Sequence, residues 1–172
     1  RVPKAANTLL SHTLFQHTFG RPAHNNSEAK NAFRHPNDLR GDEVTEIPKN
    51  YFCFIFVRNP YERVFSAYWS KVRSSQAQKQ RYRDAVRQRI GGTDHRTISF
   101  REFCQYLNEG GLYDDPHWLP QACYAETLGI NQIDAVGKIE TLACDAQAIF
   151  GRIFPEADNI HFSNRSGSRN DA

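Results

Sequence analysis

Short apolar runs alternate along the chain with amphipathic stretches, a pattern typical of strands followed by helices. A continuous apolar run covers 51–57 and ends at Arg58, and Pro60 then opens an amphipathic stretch over 61–73. A run of this length is typical of a parallel strand that is covered on both faces, and proline is tolerated at the start of a helix. The pattern therefore predicts a strand, a tight turn and a helix.

The same kind of pattern predicts further elements on both sides of this unit. A helix over 9–19 is preceded by Asn7 or Thr8 as the capping residue. Ser99 stands three residues before Glu102, a capping box that predicts a helix to about residue 107. The remaining predictions are a short helix over 27–33, a solvated, charged helix within 74–96, a strand over 133–139 and a helix over 143–154. Strands that alternate with helices predict an α/β domain with a mainly parallel sheet.

Composition narrows the class of protein. The 172 residues suit one domain, 1–172, with a single buried core. A net charge of +3 fits an anionic ligand but lacks the dense basic face of a nucleic-acid-binding protein. No apolar stretch approaches the roughly 20 residues that span a bilayer, and the four cysteines are too widely spaced to predict a metal site.

Both ends of the chain suggest that it is part of a longer protein. Residues 1–3 resemble the end of a strand whose beginning is missing, so we expect truncation at the N-terminus. The polar tail from 159 to 172 has no evident closing helix, which suggests the same for the C-terminus.

The segment RVPKAANT, residues 1–8, has the features of an anion-binding turn. Lys4 supplies a positive charge, the small residues after it let the backbone approach a ligand, and Thr8 supplies a hydroxyl where a helix begins. A helix N-terminus suits a phosphate or sulfate because its N–H groups are unpaired and its dipole end is positive. The alternative is a simple helix cap after a strand. The Walker A pattern GxxxxGK[ST] is absent, which disfavours an ordinary P-loop kinase or ATPase.

A second turn of this kind follows the apolar run. Arg58 ends the run, where its charge needs a partner, and a planar guanidinium suits bidentate phosphate binding. Ser66 lies about two helical turns further on, within reach of the same phosphate. The residues alone leave open a second interpretation, in which Arg58 pairs with Glu62 and Ser66 is a small packing residue. Two anion sites in one domain predict a ligand with two separated anionic groups.

Together, RVPKAANT and FVRNPYERVFSAYWSK resemble the two donor-binding motifs of sulfotransferases that use 3′-phosphoadenosine 5′-phosphosulfate (PAPS), in the Golgi-type carbohydrate branch. DPHWLPQACY and AVGKIETLACDA resemble two later segments of that family, in the same order. The branch includes chondroitin 4-O- and heparan sulfate 2-O-sulfotransferases and bacterial relatives. The resemblance spans about residues 1–150 and implies a P-loop-like, three-layer α/β/α fold with a mainly parallel central sheet.

The resemblance also implies a role for each matching residue. Lys4 would contact the 5′-phosphosulfate, and Arg58 with Ser66 would hold the 3′-phosphate that distinguishes PAPS from an ordinary nucleotide. The other residues implied in donor binding are Ala5, Ala6, Asn7 and Thr8 around the 5′-phosphosulfate, and Ser166 and Arg169 in a late loop that covers the donor. The reaction needs no metal.

A general base must take the proton from the acceptor hydroxyl, and His35 and His117 are the candidates. Histidine titrates near neutrality, so either can serve. His35 precedes Arg58 at about the distance found in the 2-O-sulfotransferase pattern, and we expect it to be the base. His117 belongs to the HW-x-P motif, and we expect it in the site. The structural alternatives are a loop histidine before Pro36 and a histidine that packs beside Trp118.

The sequence therefore predicts a PAPS-dependent sulfotransferase that acts on a carbohydrate hydroxyl and releases 3′,5′-adenosine bisphosphate (PAP). The alternatives are a catalytically inactive module that binds PAP and a small-molecule kinase, which would need a magnesium-binding carboxylate near Thr8. We favour a bacterial cytoplasmic enzyme over a luminal Golgi domain. The expected acceptor-contacting segments, 21–50 and 74–97, carry no recognisable pattern.

Overall fold

The computed structural model describes residues 2–34, 38, 40–92, 97–127 and 133–156. Within these ranges the strands are β1 (Phe54–Val57) and β2 (Ala135–Lys138), and the helices are α1 (Asn7–Phe19), α2 (Asn26–Asn31), α3 (Gly41–Asn50), α4 (Pro60–Ala67), α5 (Gln80–Ile90), α6 (Phe100–Asn108), α7 (Ala122–Thr127) and α8 (Leu142–Ile153). A π-helical turn over Tyr68–Val72 continues α4, and short 3₁₀ turns cover Ala77–Lys79 and Gly111–Tyr113. None of the described helices is both long and apolar enough to cross a bilayer.

The two strands pair in parallel, with Phe54 opposite Ala135 and Val57 opposite Lys138. Helices α4 to α7 lie between them in sequence, because parallel neighbours need a crossover connection. The described part is thus a helix-rich α/β structure with a small parallel sheet. This confirms the predicted class and the parallel direction of the strands.

The prediction of a seven-residue strand covered on both faces was wrong for β1. The strand has four residues, and of these only Phe56 is fully buried. The rings of Phe54 and Phe56 lie 5.9 and 6.3 Å from the ring of Phe150 in α8, so one face of the strand packs against that helix. The side chains of Ile55 and Val57 are half-buried.

Most predicted helices lie within two residues of their expected bounds, but α3 falls in a segment predicted to be mostly loop. Its first turn is held by Glu43, whose carboxylate accepts a hydrogen bond from the Arg40 amide at 2.9 Å and pairs with the Arg34 guanidinium at 2.9 Å. These contacts stabilise a helix start in a segment whose Asp and Pro content suggested loops. The predicted capping box between Ser99 and Glu102 is confirmed at the start of α6.

The packing of β1 against α8 forms one hydrophobic core, and a second core surrounds Trp118, which is 2% exposed. Its ring lies 5.3 Å from the ring of Phe103 and 5.9 Å from that of Tyr82, and its indole Nε1–H donates to the Gly111 carbonyl at 2.8 Å. A buried indole with a satisfied donor is a rigid anchor. It therefore fixes the loop that carries the neighbouring His117.

We predict that Gly137→Ala destabilises the protein. Gly137 lies opposite Phe56, and a methyl group at this position would stand 2.4 Å from the Phe56 ring. Such an overlap forces the ring or the strand to move, and overpacking of this kind costs about 1–3 kcal/mol. The free energy of unfolding, measured by urea denaturation, should fall by that amount.

Gly151→Ala is the matched control, because a methyl group there meets no atom within 4 Å on α8. Alanine is a better helix former than glycine by up to about 1 kcal/mol, so this variant should be at least as stable as the parent. Parent-like stability of Gly137→Ala would contradict the close approach of β2 to Phe56.

Candidate functional site

A cavity of about 860 Å³ opens between the start of α1, α2, the end of α4 and the loop before Trp118. It brings together residues from all four of the sequence motifs. The lining residues from these motifs include Pro3, Lys4, Ala6, Asn7, Thr8, Ser66, His117 and Leu142. Polar residues of α1 and α2, including His12, Asn26 and Lys30, form another part of the lining.

The turn before α1 has an unusual backbone. Lys4 and Ala6 both adopt left-handed conformations, with φ angles of 66° and 50°. Each such residue costs of order 1–3 kcal/mol when it is not glycine, and conformations of this kind cluster at functional sites. Turns that mix left- and right-handed residues point successive N–H groups into a concavity that binds anions.

This backbone also corrects the predicted cap of α1. The helix begins at Asn7, and its capping position is Ala6, which offers no side-chain hydrogen bond to the first turn. Neither Asn7 nor Thr8 is therefore the cap that the sequence suggested. The first turn contains no acidic residue, so the positive end of the helix dipole faces the cavity without a side chain to neutralise it.

The ammonium group of Lys4 is held at this turn. Its Nζ donates a hydrogen bond to the Ser70 hydroxyl at 2.7 Å. Burial lowers its pKa below the usual lysine value, and the charges of Arg58 and Lys79 lower it further. Burial also lowers the pKa of Lys71 to about 8, with a smaller contribution from Lys79. Cations thus converge on one wall of the cavity, where an anion would stabilise them.

Ser70 and Lys71 were missed by the sequence reasoning. Both lie on the π-helical turn that continues α4, and such turns occur frequently at functional sites. The wider turn alters the helical spacing, so a pattern based on 3.6 residues per turn does not predict which face these side chains share.

Arg58 and Ser66 have different surroundings. Ser66 lines the cavity together with Lys4. The Arg58 guanidinium lies outside the lining and pairs with Glu62, with Nη2 3.3 Å from Oε2. Glu62 is 61% exposed, and exposed pairs of this kind contribute at most about 1 kcal/mol. The Arg58 side chain could therefore leave Glu62 for a bound phosphate at little cost.

The backbone of Arg58 is fixed by Gln121. The Arg58 amide donates to Gln121 Oε1 at 2.8 Å, and Gln121 Nε2 donates to the Arg58 carbonyl at 2.8 Å. Glu140 accepts a hydrogen bond from the next amide, Asn59, at 2.6 Å. These contacts hold the backbone of the turn between β1 and α4 in place. The Arg58 guanidinium takes no part in them, so it can change partner without moving the turn.

His117 lines the cavity with its ring oriented by a carboxylate. Its Nδ1 lies 2.6 Å from Asp115 Oδ1, and its amide donates to the same oxygen at 2.8 Å. Burial raises the pKa of Asp115, but the hydrogen bonds from the His117 ring and amide outweigh that effect, and the pKa lies below its usual value. An ionised carboxylate accepts a hydrogen bond from Nδ1–H, and this tautomer of the neutral ring leaves Nε2 as an acceptor.

Arg63 connects the two segments that meet at the cavity. Its guanidinium is buried and donates to the carbonyls of Pro3 at 2.9 Å, Leu119 at 2.8 Å and Pro116 at 3.1 Å. Pro3 precedes Lys4, and Pro116 precedes His117. The sequence signal was present, since Arg63 is the second arginine of FVRNPYERVFSA, but its partners are far away in the chain.

Three of the predicted site residues, His35, Ser166 and Arg169, lie outside the described residues. Those that the structure does describe meet at one cavity, apart from the Arg58 side chain and the buried Ala5.

The chain is similar to known sulfotransferases. A family model described as "Sulfotransferase family" matches residues 1–169. Carbohydrate sulfotransferase 14 of Mus musculus is 34% identical over 121 residues, which cover 65% of this chain and 31% of that protein. The Danio rerio protein of that name is 30% identical over 128 residues, covering 68% and 34%. Carbohydrate sulfotransferase 11 of Danio rerio is 29% identical over 152 residues, covering 74% and 41%.

No solved structure gives a significant match. The matched regions span about a third of the length of the sulfotransferase 14 relatives, 31% and 34% in the two species above. Because the family model covers nearly the whole sequence, from residue 1 to residue 169, this chain belongs to the sulfotransferase family.

Proposed function

We propose that the protein transfers a sulfuryl group from PAPS to a hydroxyl of a carbohydrate. One observation carries the proposal: a single cavity joins the left-handed turn at Lys4, the Ser66 hydroxyl and the His117–Asp115 pair. The first two suit the anionic groups of the donor, and the third suits removal of a proton from the acceptor. The similar proteins are named as carbohydrate sulfotransferases, which supports a sugar as the acceptor.

The reaction exchanges one S–O bond for another. The acceptor oxygen forms a bond to sulfur, the bond between sulfur and the bridging phosphate oxygen breaks, and its electron pair remains on the phosphate of PAP. Positioning and charge stabilisation dominate in transfers of this kind. Lys4 and the amides at the start of α1 are the groups that would offset the negative charge growing on the leaving phosphate.

His117 is the group that would accept the proton from the acceptor hydroxyl, through Nε2. Asp115 would hold the ring in the required tautomer and stabilise the imidazolium that forms, as in other base–carboxylate pairs. Since His117 lines the cavity, a module that binds PAP without catalysis is the weaker alternative. The expectation that His35 is the base stays a prediction.

The 3′-phosphate would lie between Ser66 and Arg58, with the Arg58 guanidinium exchanged from Glu62 to the phosphate. The roles of Ala5, Ser166 and Arg169 in donor binding are part of the proposal, as is the P-loop-like, three-layer α/β/α fold. The relatives come from vertebrates, which supports the Golgi lumen over a bacterial cytoplasm.

We predict that PAP stabilises the protein against heat much more than AMP does, because only PAP carries a 3′-phosphate. In Arg58→Ala this preference should largely disappear, since a lost charge-assisted contact weakens binding by about 10- to 100-fold. Thermal shift and calorimetric titrations with both nucleotides measure the effect. Arg101→Ala, an exposed arginine of α6, is the control and should retain the preference. Equal shifts from PAP and AMP in the parent would reject the 3′-phosphate site.

We predict that His117→Ala lowers kcat by about 10²- to 10⁴-fold, the usual contribution of a general base, while PAP affinity is retained. Asp115→Asn should also lower kcat, because the ring loses the carboxylate that orients it. The double variant should fall little below His117→Ala, since residues that act as a unit are not additive. Sulfate transfer from labelled PAPS measures the rates.

Glu109→Gln, at the exposed end of α6, is the control for loss of a carboxylate and should keep the parent kcat. If His117→Ala transferred sulfate at the parent rate, the base would have to be another group, and His35→Ala is then the decisive variant.

A further inference from the structure

Tyr82 is a buried residue that lies outside the four sequence motifs. It belongs to α5, which the sequence predicts to be a charged, solvated helix, yet it is only 5% exposed. Its hydroxyl accepts a hydrogen bond at 2.7 Å from the guanidinium of Arg81, an exposed residue. The neighbour in the chain therefore satisfies the polar end of the side chain, and the ring is left to pack against the protein.

The Tyr82 ring contacts the loop that carries the candidate base. Its centre lies 5.9 Å from that of the His117 ring at an interplanar angle of 85°, and 5.9 Å from that of the Trp118 ring at 70°. Rings that meet at such angles attract each other, because the positive edge of one faces the negative face of the other. Lys71 Nζ lies 5.5 Å from the centre of the Tyr82 ring, within the range of a cation–π contact. Trp118 and Lys71 thus hold the ring beside the imidazole.

The hydrogen bond to Asp115 does not fix the His117 ring completely. It holds Nδ1, which lies 2.6 Å from Asp115 Oδ1. Hydrogen bonds tolerate a range of angles, so this contact alone leaves the imidazole room to tilt. A tilt moves Nε2, the atom that would accept the proton from the acceptor hydroxyl. The Tyr82 ring restricts the tilt, because it occupies the space beside the imidazole.

We propose that Tyr82 is a positioning residue, which keeps Nε2 of His117 directed at the acceptor hydroxyl. Among the described residues, those that line the cavity include His117 but not Tyr82, so Tyr82 acts through the imidazole and not on the substrate. A misplacement of about 1 Å caused by a residue away from the reacting atoms can cost about 10²-fold in rate. The effect on rate rests on the proposed function, whereas the contact between the two rings does not.

Two substitutions at Tyr82 test the proposal. Tyr82→Leu removes the ring and should lower kcat by about 10- to 100-fold, with the affinity for PAP unchanged. Tyr82→Phe keeps the ring and loses only the hydroxyl, so it should retain most of kcat. Val86→Ala is the matched control, because Val86 is fully buried one helical turn further along α5. It should lower the stability of the protein and keep the parent kcat. Sulfate transfer from labelled PAPS, thermal unfolding and calorimetric titration measure these effects.

A double variant separates positioning from a purely structural role. If Tyr82 acts through the imidazole, Tyr82→Leu should lower kcat little further in a protein that already carries His117→Ala, since residues that act as a unit are not additive. A purely structural role would lower kcat by the same factor with and without His117, and Val86→Ala would lower it as well. That result, or a parent-like kcat in Tyr82→Leu, would overturn the proposal.

Nuclear magnetic resonance of histidine-labelled protein tests the contact without catalysis. The ring signal of His117 is the one that is absent from His117→Ala. The ring current of Tyr82 acts on this signal, so the signal should move in Tyr82→Leu and stay close to its parent position in Tyr82→Phe. An unchanged signal in Tyr82→Leu would overturn the proposal at any level of activity. If the signal moves but the parent transfers no sulfate, the proposed function is wrong and the positioning of His117 by Tyr82 stands.

Discussion

The arrangement of the site depends on the buried guanidinium of Arg63. One side chain binds the carbonyls of Pro3, Pro116 and Leu119, and so joins segments more than fifty residues away on either side of it in the chain. Its charge is met by three carbonyl dipoles, and a buried carbonyl that loses its partner costs about 1–3 kcal/mol. The contact sets the distance between Lys4, which follows Pro3, and His117, which follows Pro116. Lys4 and His117 are thereby held at one cavity.

The second constraint is electrostatic. Lys4 and Lys71 both line the cavity, and burial together with repulsion from neighbouring cations lowers the pKa of both. The left-handed residues Lys4 and Ala6 add backbone strain at the same place. Backbone strain and charge repulsion of this kind cluster at functional sites, where a bound ligand offsets their energetic cost. An anion bound at this wall would offset the uncompensated charge.

Local signals in the sequence were sufficient for some features. The capping box of Ser99 and Glu102 and the proline at the start of α4 act within one helical turn, so they are visible in the sequence and are found in the structure. The motif around Lys4 was recognisable for a similar reason, since its small residues and its lysine are adjacent in the chain. The cap of α1 was not predictable, because a left-handed alanine has no sequence signature comparable to glycine.

The sequence by itself determined the starts of α4 and α6, the parallel α/β class and the motifs that carry the proposed anion-binding residues, because these depend on neighbours within a few positions. Only the tertiary structure decided which of them meet. It paired Arg58 with Glu62, oriented His117 by Asp115 and brought Lys4 to Ser70. It also revealed that Arg63 joins the motif around Lys4 to the motif around His117 through hydrogen bonds. These contacts depend on the packing of α4, its π-helical turn and the Trp118 core, and packing between distant segments leaves no pattern in the local sequence.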